Sequence, residues 1–130
     1  MNGNDIQCVT VVGAGLMGHG IALELAAHGF AVRLHDRDQA QLDRAQDGIA
    51  NGLARLVEIE RITLAAAATA PARISMGRDL RAAVTDTDLV IEAVSEDLEI
   101  KRALFGDLDA WAPPRAILAS NTSTRTLHCR

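Results

Sequence analysis

The chain has 130 residues, a formal net charge of −4 and 48% hydrophobic residues, yet its aromatic residues are only Phe30, Phe105 and Trp111. That length suits one domain with a real core, and a core this poor in rings must be aliphatic and alanine-rich, which favours an α/β arrangement over a β-sandwich. No basic stripe points to nucleic acid, no apolar run approaches a membrane span, and no Cys/His cluster has metal-ligand spacing, so no metal is expected.

Cys8 and Cys129 do not form a disulfide framework, which points to a reducing, intracellular setting. The polar start, Met1 to Asp5, reads as neither a signal peptide nor a transit segment. Cys8 to Val12 is a β-branched run bounded by glycine and predicts a buried strand. Gly13 to Gly20 is a glycine-rich turn entering a helix, with Ile21, Leu25 and Met17 at helical spacing and Gly29 as its C-terminal stop. Phe30 to His35 predicts the second strand.

Asp38 can cap a long helix whose apolar stripe is Leu42, Ala45, Ile49, Leu53 and Leu56, with Gly48 and Gly52 interrupting it. Leu64 to Ala70, alanine-rich and followed by Pro71, reads as a helix end and a loop. Arg73 to Met76 predicts a third strand and Asp79 to Val84 a short helix. Asp88 to Val94 is the fourth strand. Asp97 to Ala110 is an amphipathic helix with Leu98, Lys101, Leu104, Phe105 and Leu108 near one face. Pro113-Pro114 stops it, and Ala116 to Ala119 is the fifth strand. Strands alternating with helices predict a doubly wound, Rossmann-type parallel sheet with helices on both faces, and ligands just beyond the carboxyl ends of the strands.

The residues after the first two strands fit that rule. Gly13-Ala14-Gly15-Leu16-Met17-Gly18 follows a strand and opens a helix, and Asp36 closes the next strand. Gly13 permits the turn, Gly15 lets a pyrophosphate reach the backbone, and Gly18 lets helix and strand pack. Asp36 can accept from ribose hydroxyls and repel a 2′-phosphate, which favours NAD over NADP; Arg33 and Arg37 argue the other way. The expected cofactor-binding set here is Gly13, Gly15, Leu16, Met17, Gly18, Asp36 and Arg37, with Met17 serving in packing more than in cofactor chemistry. His19, His28 and His35 read as solvated or satisfied histidines.

Three blocks in order carry a further likeness. Gly13 to Ala22, Leu89 to Lys101, and Ile117-Leu118-Ala119-Ser120-Asn121-Thr122-Ser123 together resemble the N-terminal NAD-binding domain of the 3-hydroxyacyl-CoA dehydrogenases, including those acting on 3-hydroxybutyryl-CoA. The likeness implies that Glu96, Lys101 and Asn121 line the nicotinamide end of the cofactor site. It implies that Ser123, with Asn121, meets the reacting 3-hydroxyl or 3-keto oxygen. The reaction implied is hydride transfer between NAD and a 3-hydroxyacyl-CoA, in fatty acid or hydroxybutyryl-CoA metabolism, by a cytoplasmic enzyme that is a homodimer at full length. Glu96 can also be a first-turn acid, and Asn121 and Ser123 turn residues.

The resemblance places the catalytic histidine and its orienting acid downstream of Ser123, and His128 follows Ser123 too soon to match. The expectation is therefore a nearly complete NAD-binding domain over residues 1–130, without the family's helical C-terminal domain, that binds NAD(H) and turns over slowly or not at all. Alternatives are a dehydrogenase of a small hydroxy acid such as gulonate or carnitine, and a non-catalytic NAD-binding module.

Overall fold

The computed structural model describes residues 6–94 and 98–120. Five strands, β1 (Cys8–Val12), β2 (Ala31–His35), β3 (Ile74–Gly77), β4 (Leu89–Glu92) and β5 (Ile117–Ser120), form one sheet in the order β3-β2-β1-β4-β5. Every pairing is parallel, as strands joined through helices require. The chain builds outward from β1 through β2 to β3, then returns to lay β4 and β5 on the other side. The order reverses at β1, so the crevice between β1 and β4 is where this topology receives a ligand.

Alternation along the strands assigns each face. Val9 and Val11 of β1 and Val32 and Leu34 of β2 turn to one side and meet the helices α1 (Leu16–Ala27) and α2 (Gln39–Glu58). Val12, Val90 and Leu118 turn to the other side, with α4 (Leu80–Val84) and α5 (Leu98–Trp111). Thr10 points the same way as Val12, and its hydroxyl donates to the Ala83 carbonyl at 2.6 Å. Helices thus cover both faces, as the alternating pattern predicts.

Helix α2 buries Leu42, Ala45, Ile49 and Leu53, with Leu56 packed beside them, and Asp38 caps it by accepting from the Ala40 N–H. Gly48 and Gly52 are not defects in the stripe. A Cβ on Gly48 would lie 2.5 Å from His19 Nε2, and one on Gly52 would lie 2.6 Å from a Leu23 methyl. The two glycines let α1 press against α2. His19 is half-buried: its ring rests on Gly48, and its buried Nδ1 has no hydrogen-bond partner among the described residues. The buried positions of α1 are the small Gly18, Ala22 and Ala26 with Leu23. Met17, expected to pack, is instead 55% exposed.

Three other readings are corrected. Leu64–Thr69 is a separate helix, α3, started by Thr63, whose hydroxyl accepts from the Ala66 N–H, and a 3-10 turn, Ala70–Arg73, follows it. The alanines there are good helix formers once a cap is supplied. The fourth strand is shorter than read, ending at Glu92. Cys8, expected to be buried, is half-buried at the outer end of β1.

Candidate cofactor site

The glycine turn is locked from both neighbouring strands. The Gly13 N–H donates to the His35 carbonyl at the end of β2 (2.7 Å), and the Ala93 N–H donates to Val12 (2.8 Å). Gly13 sits at φ +106°, where an L side chain is strained, and a Cβ would come within 2.7 Å of the Ala93 carbonyl oxygen. A Cβ on Gly18 would fall 1.6 Å from the Gly13 carbonyl oxygen. The first turn of α1 is thus seated directly on the turn that leads into it. Gly15 differs: its φ is an ordinary −67°, and a Cβ would meet nothing within 4 Å. It faces open space at the helix start.

Asp36 stands at the rim of this turn. One carboxylate oxygen accepts from the Ala14 N–H at 2.9 Å and the other from the Asp38 N–H at 2.9 Å. Each oxygen keeps lone-pair capacity for a further donor. Arg33 is turned away, its guanidinium donating to the Ala83 carbonyl at 3.3 Å, so it does not oppose Asp36. Arg37 is exposed and its carbonyl accepts from Arg78.

The N-terminus of α1 is open in a way its neighbours are not. Asp38, Thr63 and Asp79 cap α2, α3 and α4, each accepting from a backbone N–H. Gly15 at the start of α1 offers no side chain, and the first turn carries no acid. The positive end of the helix dipole faces whatever binds there. Leu16 and Met17 flank it, 85% and 55% exposed. These features fit a dinucleotide: a glycine turn close to the backbone, a helix N-terminus whose cap residue brings no side chain, and a carboxylate for ribose hydroxyls.

Across the sheet, beyond β4 and β5, lies a second polar cluster that the sequence reading did not single out. Glu92 ends β4 fully buried, at 0% exposure. Its Oε2 accepts from the Val94 N–H at 2.6 Å, and its Oε1 accepts from the Ser120 hydroxyl at 2.5 Å. Lys101, also buried, brings its Nζ to 3.8 Å from Oε1. A buried carboxylate stripped of such partners costs several kcal/mol, so this cluster is a unit. The signal for it was in the sequence: an acid closing the apolar run Leu89-Val90-Ile91 of an inner parallel strand is an exception to that pattern.

Of the expected site residues, Gly13, Gly15, Leu16, Met17, Gly18, Asp36 and Arg37 gather around one turn, and Lys101 stands with Glu92 on the far side of β1. Glu96, Asn121 and Ser123 lie outside the described residues. His35 is more constrained than a satisfied histidine. It is buried, its Nε2 donates to the Arg78 carbonyl at 3.1 Å, and its Nδ1 has no partner. Burial lowers its pKa below the ordinary 6.5, against raising effects from the Arg78 hydrogen bond and the Asp36 and Asp79 charges. Among the described residues, no helix is long and apolar enough to cross a membrane.

Comparison with known proteins agrees with this geometry. The family described as 3-hydroxyacyl-CoA dehydrogenase, NAD binding domain, matches residues 8–128. A Caenorhabditis elegans protein named "Probable 3-hydroxyacyl-CoA dehydrogenase" is 42% identical over 95% of this chain and 42% of its own length. The 3-hydroxyadipyl-CoA dehydrogenase of Escherichia coli is 41% identical over 92% of this chain and 25% of its own. The crystal structure of an Escherichia coli 3-hydroxybutyryl-CoA dehydrogenase superposes with a TM-score of 0.86 at 40% identity, covering 93% of this chain and 25% of that one. The chain therefore spans less than half the length of these relatives, and it belongs to the 3-hydroxyacyl-CoA dehydrogenase family, as its NAD-binding domain.

Proposed function

We propose that this chain is the cofactor half of an enzyme that moves a hydride between NAD and a 3-hydroxyacyl-CoA, giving or consuming the 3-ketoacyl thioester. The observation that carries this reading is Asp36 hydrogen-bonded to the Ala14 N–H beside the start of α1, where Gly15 brings no capping side chain. Backbone N–H groups of that first turn would hold the pyrophosphate, with Gly15 admitting it to the main chain. Asp36 would take the adenosine ribose hydroxyls, and its charge would repel a 2′-phosphate. With the adenosine over β2 and the phosphates at β1, the other half of the dinucleotide extends toward β4 and β5, where Lys101 stands. Bound NAD supplies the hydride acceptor or donor; the protein orients it and excludes water.

Further parts of the reading rest on the family resemblance. Glu96 and Asn121 join Lys101 at the nicotinamide end, and Ser123 contacts the substrate oxygen. The acyl-CoA substrate and a homodimer at full length are assigned on the same ground; a cytoplasmic setting is proposed from the cysteine usage. A full-length protein would carry the histidine base and a helical domain beyond this segment, so the chain alone binds cofactor and turns over slowly or not at all.

Calorimetric titration of the chain with NADH and NADPH tests the core of this. NADH should bind in preference to NADPH, and Asp36→Asn should erase most of the preference while the chain stays folded. A folded chain that binds neither nucleotide would overturn the reading in favour of a non-cofactor role, and one that prefers NADPH would overturn the assignment of NAD. Reduction of acetoacetyl-CoA by the full-length protein, set against gulonate- and carnitine-type substrates, tests the substrate class.

A further inference from the structure

The Glu92 cluster joins three segments that border the nicotinamide half of the proposed site. Val94 lies in the connection just after β4, Lys101 lies in the first turns of α5, and Ser120 ends β5. All three reach a single carboxylate. In the sheet register Glu92 is paired with Val12 on one side and Ser120 on the other, so it sits at the same level as the residue preceding the glycine turn. The crevice between β1 and β4 opens directly beyond it. An aliphatic residue would fill this buried strand position without needing partners. A carboxylate there holds a charge beside the ligand crevice.

We propose that Glu92 is a positioning residue of the cofactor site, holding the Lys101 ammonium in place and offsetting its charge so that the oxidised and reduced cofactors bind in balance. The proposal rests on the NAD reading above. The two cofactors differ at one place: the oxidised nicotinamide ring is cationic and the reduced ring is neutral. A positive charge on the β4–β5 side disfavours the oxidised ring alone. Glu92, in contact with Lys101 and buried from solvent screening, counters that effect. Neutralising Glu92 removes this counter-charge, and NAD+ should lose affinity relative to NADH. A single charge acting through a protein interior of effective dielectric about 20 changes such a ratio roughly three- to tenfold.

The test is the ratio of dissociation constants for NAD+ and NADH, measured by calorimetry on the chain and its variants, with melting temperatures alongside. Glu92→Gln keeps the shape and removes the charge. It should raise the NAD+ to NADH ratio about three- to tenfold. Glu92→Asp, which restores the charge, should bring the ratio back toward that of the parent chain. Lys101→Met should move the ratio the opposite way, and it stands as the test if Glu92→Gln does not fold. If both cofactors weaken by the same factor in Glu92→Gln, or if Lys101→Met leaves the ratio unchanged, Glu92 is a structural residue only and the proposal is overturned. If the parent chain binds neither cofactor, the NAD reading fails and this inference fails with it.

Discussion

Adding one methyl group to Gly15 or to Gly18 should have opposite consequences, although the two positions are one helical turn apart. At Gly18 the new Cβ would lie 1.6 Å from the Gly13 carbonyl oxygen and 2.8 Å from its carbon. A comfortable contact is about 3.5 Å, and both partners are backbone, so no side chain can swing aside. The turn and the helix must separate by about 2 Å, which breaks the seating of α1 on β1. Overpacking commonly costs 1–3 kcal/mol and this case belongs at or above the top of that range, about 3 kcal/mol. For a chain of this length about 4 °C of melting temperature accompanies each kcal/mol, so Gly18→Ala should melt roughly 12 °C lower. Gly15→Ala meets nothing within 4 Å at an ordinary φ. It should fold as well as the parent, or gain up to about 1 kcal/mol from a less flexible unfolded chain. Its methyl group would nevertheless occupy the path proposed for the pyrophosphate to the backbone. Loss of one hydrogen bond to a charged group, about 1.5–3 kcal/mol, raises the NADH dissociation constant roughly ten- to hundredfold. Thermal melts and NADH titrations of the two variants together decide the matter. Undiminished NADH binding by Gly15→Ala, or equal loss of melting temperature in both, would refute the geometry argued for the turn.

Other perturbations probe the scaffold. Leu108 is fully buried between α5 and the sheet, so Leu108→Ala should cost about 2–5 kcal/mol, read as a lower urea midpoint. His35 has a lowered pKa in the fold, mainly through burial. The unfolded chain therefore binds more protons just below pH 6.5, and stability should fall as pH drops from 7 through that value. His35→Gln should flatten this part of a stability–pH curve. Asp88 accepts from the Cys8 and Gln7 N–H groups and pairs with Arg115, and these contacts hold its carboxyl below the usual 3.8. Its contribution is present above pH 3.8 and lost as pH falls through the depressed value. Asp88→Asn should remove that acid-side loss and leave the His35 region unchanged.

Local rules made much of this molecule legible. Strand β1, the Asp38 cap, the α2 stripe and the glycine turn all follow from residues within a few positions of one another. What escaped the sequence depended on partners distant along the chain. Gly48 and Gly52 looked like weaknesses of α2, because helix propensity counts only the helix itself; His19 and Leu23 on α1 explain them. The Leu64–Thr69 segment looked like a fraying end because the Thr63 hydroxyl was not weighed as a cap. Glu92 passed as a member of a strand block, although its charge conflicts with an apolar inner strand. The strand position could be read, but its partners Lys101 and Ser120 come together only when β4, α5 and β5 assemble.

That contrast bears on how the site is organised. Asp36 directly follows β2 and Glu92 ends β4, on either side of β1; Asp36 spends both oxygens on backbone N–H groups, while Glu92 gives one oxygen to a backbone N–H and the other to the Ser120 hydroxyl and Lys101. Asp36 holds Ala14 and Asp38; Glu92 holds Val94. The glycine turn and the Asp36 carboxylate are thus held by the fold itself, and less freedom there remains to be lost on binding. It also follows that charge and structure are coupled at Asp36. Asp36→Ala removes the proposed ribose acceptor and both backbone contacts together, whereas Asp36→Asn keeps the shape and one acceptor oxygen. The alanine variant should therefore lose melting temperature as well as cofactor affinity, and the asparagine variant mainly its discrimination against a 2′-phosphate. Equal melting temperatures for the two would show that the Ala14 and Asp38 contacts contribute nothing to holding the turn.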